Sequence, residues 1–285
     1  MTPELSLVVS TIGRPEQLKR LLDSLVGARD HDRIELVLVD QTDDQASAGY
    51  ARARPLPFPV HTTSSPRGLS LGRNVGLELA SAPLVAFPDD DCWYGRDTLG
   101  QAIRYLSVHQ GIAAVSGVQV TADGRGSMLR WPQAPAWITP HNFFRTAISS
   151  SLFLRTALVR EVGGFDETLG AGSKQGYLSG EESDLVLKLL ERGYRIRYEP
   201  ELRVHQDDPR DEVTPAFVDK MAGYAQGQGR LFADHDLSKA LFGWLLVRKL
   251  AATCIRSIKG QPELAAADRA YLAGMVSGYR RARDE

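Results

Sequence analysis

Apolar runs of strand length alternate with stretches of helical spacing along the first half of the chain. Residues 5–10 form one such run. Pro15 then opens a helix on which Leu18, Leu21, Leu22 and Leu25 recur along one face. Residues 34–39, ending at Asp40, read as a second buried strand, and residues 58–62 as a weaker third. A helix is expected over residues 74–80, a strand over 84–87 between Pro83 and Pro88, a helix carrying Leu99, Ile103 and Leu106, and a strand over 113–120. Strands and helices in alternation predict an α/β fold with a mostly parallel sheet and helices on both faces. Right-handed crossovers then put the carboxyl ends of the strands on one rim. Thr11, Asp40 and the run Asp89, Asp90, Asp91 fall there, where open α/β sheets bind ligands.

The pattern changes beyond residue 120. Residues 123–145 are rich in Pro, Gly and aromatics, Trp131 and Trp137 among them, and read as irregular chain that covers a site or forms a structural loop. Glycines punctuate residues 163–180. A compact amphipathic helix is expected over residues 184–191, stopped by Gly193. Tyr194, Ile196 and Tyr198 then alternate with Arg195 and Arg197 as a half-buried strand. After His205 the strand signal ends, and the chain from Pro215 onward reads as helices, most apolar over residues 241–258. Neither a repeat nor a low-complexity tract interrupts it.

Composition narrows the function classes. At 285 residues the chain can hold one large domain, or a domain and an appendage. Its 34 basic and 35 acidic residues leave a formal charge of −1, so no basic excess is available to follow a nucleic acid. Cys92 and Cys254 have neither metal-ligand spacing nor a disulfide framework, which points to a reducing, cytoplasmic setting. No secretory leader and no membrane-spanning helix are expected.

Three adjacent carboxylates at the end of a buried strand repel one another, and something must offset that cost. A hard divalent cation is one answer, since Mg²⁺ and Mn²⁺ prefer carboxylate oxygens. A solvated acidic turn that caps the following helix together with Asp97 is the other.

The motifs, taken in order, resemble the family-2 glycosyltransferases of the GT-A fold. Ser10-Thr11-Ile12-Gly13-Arg14-Pro15 is similar to that family's first strand-loop-helix, and Val39-Asp40 to its second strand end. The segment from Gly68 through Arg73-Asn74 to Gly76 matches its glycine, Arg-Asn, glycine stretch, and Phe87-Pro88-Asp89-Asp90-Asp91 its Asp-x-Asp motif. Val162-Gly163-Gly164-Phe165-Asp166-Glu167, then Gly180-Glu181-Glu182-Ser183-Asp184-Leu185, then Val204-His205, complete the set. The late acidic pair departs from the usual Glu-Asp: here it is Glu181-Glu182.

The resemblance covers about residues 4–206. It implies a GT-A catalytic domain over residues 1–206, with a nucleotide-sugar half to about 120 and an acceptor half over 121–206, followed by a helical extension over 207–285. It implies an inverting hexosyltransferase of polysaccharide or exopolysaccharide biosynthesis that uses Mn²⁺ or Mg²⁺. The donor would be a UDP-sugar, with GDP- and dTDP-sugars as alternatives, and the acceptor a glycan or lipid-linked hydroxyl.

On this resemblance Asp91, Asp89 and His205 hold the metal. Thr11, Arg14, Asp40, Arg73, Asp89 and Asp90 bind the nucleotide sugar, with Asp40 accepting a ring N–H of the base and Arg73 reaching the diphosphate. Glu182 is the base that deprotonates the acceptor, with Glu181 as its alternate. Each has a plainer reading. Asp40 can cap a turn, Arg73 can pair with an aspartate, His205 can be an ordinary strand-end histidine, and the glutamates can simply favour a helix N-terminus. Trp93, Tyr94 and Trp131 are candidate sugar-stacking or core rings.

Two other functions share these parts. A sugar-phosphate nucleotidyltransferase would carry a glycine-rich basic loop after the first strand, where Thr11 to Arg14 has one glycine. A catalytically silent glycan- or nucleotide-binding protein would bind without turnover. The apolar helix around Trp244, with Arg248, Lys249, Arg256 and Lys259, suits peripheral contact at the inner face of a membrane, packing on the catalytic domain, or a homodimer.

Overall fold

The computed structural model describes residues 2–208 and 214–285. In chain order its elements are β1 (Leu5–Thr11), α1 (Pro15–Val26), β2 (Ile34–Asp40), α2 (Ala46–Ala53), β3 (Val60–Ser64) and α3 (Leu69–Leu79). There follow β4 (Leu84–Ala86), β5 (Cys92–Tyr94), α4 (Thr98–Val108), β6 (Ala114–Val120), β7 (Ala136–Trp137), β8 (Leu152–Arg155) and α5 (Thr156–Glu161). The chain closes with α6 (Glu181–Glu191), β9 (Ile196–Gln206), α7 (Pro215–Asp234), α8 (Lys239–Ile258) and α9 (Pro262–Asp284).

The strands form one sheet in the order β3-β2-β1-β4-β8-β6-β9-β5, with β7 paired to β9. From β3 to β4 every pairing is parallel, as the alternation predicts. Beyond β4 the sheet is mixed. β8 runs antiparallel between β4 and β6, β9 is parallel to β6, and β5 and β7 are antiparallel to β9. Short strands of two to four residues carry little periodicity, so β5, β7 and β8 do not announce themselves in the sequence. The third strand lies at residues 60–64, two later than expected, on a partly exposed edge. Helix α6 starts at Glu181, earlier than its apolar spacing indicates.

Two compact units divide the chain: Met1–Phe165 with Leu185–Asp208, and Asp166–Asp184 with Pro209–Glu285. The first holds the sheet. Its core joins Leu5, Leu7 and Val9 of β1 to the buried leucines of α1 and to Ile103 and Leu106 of α4. Glu35 is buried at the start of β2, where Ser6 Oγ and the Ser81 backbone N–H donate to its carboxylate at 2.5 and 2.7 Å. Ser81 Oγ donates to the other oxygen at 2.8 Å, which ties the turn before β4 to β2.

In the second unit, segment 166–184 clusters with the C-terminal helices rather than with the domain ending at 206. Specific contacts explain this. Arg230 pairs with Asp166 at 3.3 Å, Arg281 donates to the Gln175 carbonyl at 2.9 Å, and Ser179 Oγ donates to the Tyr224 carbonyl at 2.8 Å. Helices α7 and α9 approach backbone to backbone: a Cβ on Gly278 would lie 2.0 Å from the Gln226 carbonyl. Helix α8 is fastened by Phe242, whose ring meets Phe232 and Tyr279 at 5.0 and 4.9 Å. Among the described residues no helix is long and apolar enough to cross a membrane.

Candidate functional site

The rim of the first unit is built where β1 and β4 end. Thr11 closes β1 beside Asp40, its register partner at the end of β2. β4 stops at Ala86, and the turn to β5 contains the three aspartates. Their environments differ sharply. Asp90 is 1% exposed, whereas the side chains of Asp89 and Asp91 are 30% and 26% exposed.

Asp90 is held from within. Thr11 Oγ1 donates to it at 2.7 Å, and the Arg14 guanidinium pairs with its other oxygen. Burial is the dominant influence on its carboxyl and pushes it up, and the Thr11 and Arg14 contacts only partly offset this. Arg14 also donates to Asp91 Oδ2 at 2.8 Å. Burial pulls its guanidinium down, but Asp91 and Asp90 outweigh that and hold it above its ordinary value. Arg14 therefore bridges Asp90 and Asp91 while its side chain stays 42% exposed.

Asp89 takes a different cation. Arg73, 1% exposed in α3, donates to Asp89 Oδ1 at 2.9 Å and lies 5.3 Å from the Phe165 ring centroid. Its neighbour Asn74 donates to the Phe165 carbonyl and accepts from the Phe165 N–H, each at 2.9 Å. The Arg-Asn pair thus serves two anchors, one to the aspartate turn and one to the segment after α5.

Asp91 also meets a residue with no signal in the sequence. Gln206 Nε2 donates to Asp91 Oδ1 at 2.6 Å, and Gln206 in turn accepts from Gln119. His205, one residue earlier, is placed elsewhere. Its ring stacks on Trp93 at 5.5 Å, with Nδ1 3.4 Å from the Thr121 carbonyl. Successive residues of a strand face opposite sides of the sheet, so β9 can send only one of the two toward Asp91. Trp93 is also covered by Arg20, whose guanidinium carbon is 3.9 Å from the ring centroid and which donates to the Asp91 carbonyl at 3.1 Å.

Asp40 is fully buried and engaged by its own turn. Oδ1 accepts from the Thr42 N–H and hydroxyl at 3.0 and 2.7 Å, and Oδ2 accepts from the Ala48 N–H at 2.8 Å. These contacts set the start of α2. Trp131 and Tyr94 are core rings, 8% and 3% exposed.

Among the described residues no three His, Cys, Asp or Glu side chains come together as a metal cage. The trio Asp89, Asp91 and His205 is therefore not assembled, but its carboxylate part suits a hard cation. Asp89 and Asp91 are accessible oxygen donors on one turn, and both already face guanidinium cations.

The acidic pair lies in the second unit, at the start of α6. Glu181 is buried and Glu182 is partly exposed. The turn before them is fixed by a close approach: a Cβ on Gly227 of α7 would sit 2.0 Å from the Ser179 carbonyl, and Gly180 has φ +102°. One turn on, Asp184 pairs with His235 Nε2 at 3.0 Å, both side chains buried. That pairing, like Gln206 with Asp91, links residues remote in sequence.

Comparison with known proteins agrees with this architecture. A family model described as "Glycosyl transferase family 2" matches residues 6–156, more than half of the chain. The pre-mycofactocin glycosyltransferase of Mycobacterium tuberculosis (strain ATCC 25618 / H37Rv) is 29% identical over 220 residues, covering 72% of this chain and 43% of that protein. This chain thus spans less than half the length of that relative. The succinoglycan biosynthesis protein ExoM of Rhizobium meliloti (strain 1021) is 28% identical over 303 residues, covering 97% of this chain and 93% of its own. Among solved structures, the mannosyltransferase PcManGT from Pyrobaculum calidifontis, in complex with GDP-Man and Mn²⁺, matches with a TM-score of 0.69 at 18% identity, over 98% of this chain and 87% of that one. S. aureus TarS 1-349 in complex with UDP-GlcNAc matches with a TM-score of 0.60 at 20% identity, over 99% and 90%. At these identities the two structures share its fold.

Proposed function

This chain belongs to glycosyl transferase family 2, and from that premise we propose that it moves a sugar from a nucleotide-sugar donor to a hydroxyl of a glycan or lipid-linked acceptor, with inversion at the anomeric carbon. Polysaccharide or exopolysaccharide assembly is the setting that best suits the resemblance to ExoM. A UDP-sugar is the first donor to test, with GDP- and dTDP-sugars beside it. The fold-sharing structures were solved with GDP-Man and with UDP-GlcNAc.

The turn after β4 carries this reading. It offers two accessible carboxylates, Asp89 and Asp91, on either side of one that is buried and braced. Asp91 and Asp89 would hold Mn²⁺ or Mg²⁺. When bound, such a cation stabilises the negative charge that builds on a departing nucleoside diphosphate. Thr11, Arg14 and Asp90 keep the turn in shape, Arg73 supplies fixed positive charge behind it, and Gln206 orients Asp91. Asp40 shapes the adjoining loop on the nucleotide side. His205 belongs to the Trp93 wall of the turn in this assignment. Glu182, the more exposed of the acidic pair, would take the proton from the acceptor hydroxyl, and a single base acting in direct attack produces inversion.

Donor hydrolysis tests the reading. Nucleoside diphosphate release from UDP-, GDP- and dTDP-sugars is measured with and without Mn²⁺, beside thermal stabilisation by each nucleoside diphosphate. Metal-dependent release from one donor class, lost in Asp91→Ala, supports transfer chemistry. Binding without release in every combination would assign the chain to a silent binding role.

A further inference from the structure

Helix α8 turns an apolar face away from the rest of the second unit. Five of the eleven exposed large apolar side chains among the described residues lie on it: Trp244, Val247, Leu250, Ile255 and Ile258, between 50% and 86% exposed. Their spacing follows the helical repeat, so they form a stripe along the outer side. Thr253 is the one residue of α8 that is buried. The inner side is settled by Phe242 against Phe232 and Tyr279 and by Lys249 and Arg256, which pair with the buried Asp268 of α9 at 2.8 and 2.6 Å.

The charges on α8 have one sign. Its sequence KALFGWLLVRKLAATCIRSI contains no aspartate or glutamate. Two of its four cations are turned inward to Asp268, while Lys239 and Arg248 are exposed, as is Lys259 just past its end. The Arg248 guanidinium lies 4.8 Å from the Trp244 ring centroid, placing a cation beside an indole at the edge of the stripe. The stripe alone would accept many partners, and the charges select among them. In a two-fold pairing of this face with a second copy, the exposed lysines Lys239 and Lys259 of one copy meet an α8 that carries no aspartate or glutamate of its own. An anionic lipid surface supplies both complements: acyl chains for the stripe and headgroup charge for its rim.

We infer that the outer face of α8 docks this protein on an anionic membrane surface, lying in the interface and not spanning it. This rests on the second unit alone and is independent of the donor chemistry proposed above.

Flotation of the full chain with phosphatidylcholine vesicles, with and without phosphatidylserine, tests the inference. Cys254 is exposed on the same helix and Cys92 is buried, so a thiol-reactive, polarity-sensitive dye reports from this face. Wild-type protein should float with the anionic vesicles, shift the dye emission to the blue, and release at high salt. Replacing two of the three exposed cations (Lys239→Gln with Lys259→Gln) should weaken partitioning roughly 30-fold, each cation being worth about fivefold near an anionic surface. Val247→Glu with Ile258→Glu should abolish it, and circular dichroism checks that both double variants remain folded. Failure of the wild type to float, or flotation unchanged in either folded double variant, would overturn the inference. So would self-association that Val247→Glu abolishes in a protein that ignores vesicles.

Discussion

The Gln206 carboxamide donates to Asp91 across the sheet at 2.6 Å, and the register of β9 on β5 decides that it does so. Cys92 pairs with Gln206 and Trp93 with His205, which leaves the glutamine on the aspartate side. A group that orients a metal-binding carboxylate tunes metal affinity more than turnover. Gln206→Ala is expected to raise the Mn²⁺ concentration for half-maximal donor hydrolysis about tenfold, with kcat at saturating metal little changed. A fall in melting temperature with unaltered metal dependence would reduce Gln206 to a packing role.

Asp90 and Asp91 should fail in different ways. Asp91→Ala removes an exposed carboxylate and is expected to cost about 10²- to 10³-fold in metal-dependent donor hydrolysis while the fold persists. Asp90→Ala strips Thr11 and Arg14 of a buried partner and should cost about 1–3 kcal/mol of stability. Denaturant melts beside hydrolysis rates separate the two, and matching phenotypes would contradict the distinct environments.

Glu35 governs an acid-side loss of stability. Burial pushes its carboxyl up, but the hydrogen bonds from Ser6, Ser81 and Ala82 outweigh burial and hold it below its ordinary value. Its folded pKa is depressed, so its stabilisation is present above the unfolded value of about 4.3 and is lost as pH falls through the folded value. Glu35→Gln should be less stable than wild type at neutral pH and show a shallower decline across that acid window. Parallel stability-pH curves for the two proteins would refute this.

Glycine substitutions in α7 and α8 should have opposite signs. Alanine in place of helical glycine gains about 1 kcal/mol. At Gly227 that gain meets a Cβ 2.0 Å from the Ser179 carbonyl, a clash with backbone that cannot rotate aside. Overpacking of this kind costs about 1–3 kcal/mol or more, so Gly227→Ala should melt earlier and, by displacing the turn before Glu181 and Glu182, lose transfer activity. At Gly243 nothing lies within 4 Å, and Gly243→Ala should melt later.

The parallel half of the sheet was legible because its buried strands are long apolar runs and α1 repeats leucine at helical spacing. The aspartate turn could be located for the same reason, by counting from the end of an apolar run. Strands β5 and β8 were not legible, since three or four residues carry no usable period. Pairing across the chain then settles what spacing cannot. Gln206 rather than His205 meets Asp91, Arg20 covers the Trp93 ring without any motif to mark it, and Asp184 finds His235 fifty-one residues away. Asp40 shows the converse: its position at the strand end was readable, but its engagement by Thr42 and Ala48 depends on a turn that no motif spells out.

The three aspartates also act as a ruler. They complete the span between Ala86 of β4 and Cys92 of β5, and the strand on the far side is paired residue by residue with β9. Removing one aspartate would leave a stretch that still reads as acidic, but it would draw β5 back by one position. Because side chains alternate across a sheet, such a slip exchanges faces. Cys92 would leave the core, Trp93 would part from His205 and Arg20, and the carboxylate opposite Gln206 would be the wrong one. The length of this run is as much a part of its meaning as its charge, so a relative whose turn is one residue shorter must have rebuilt the following strand.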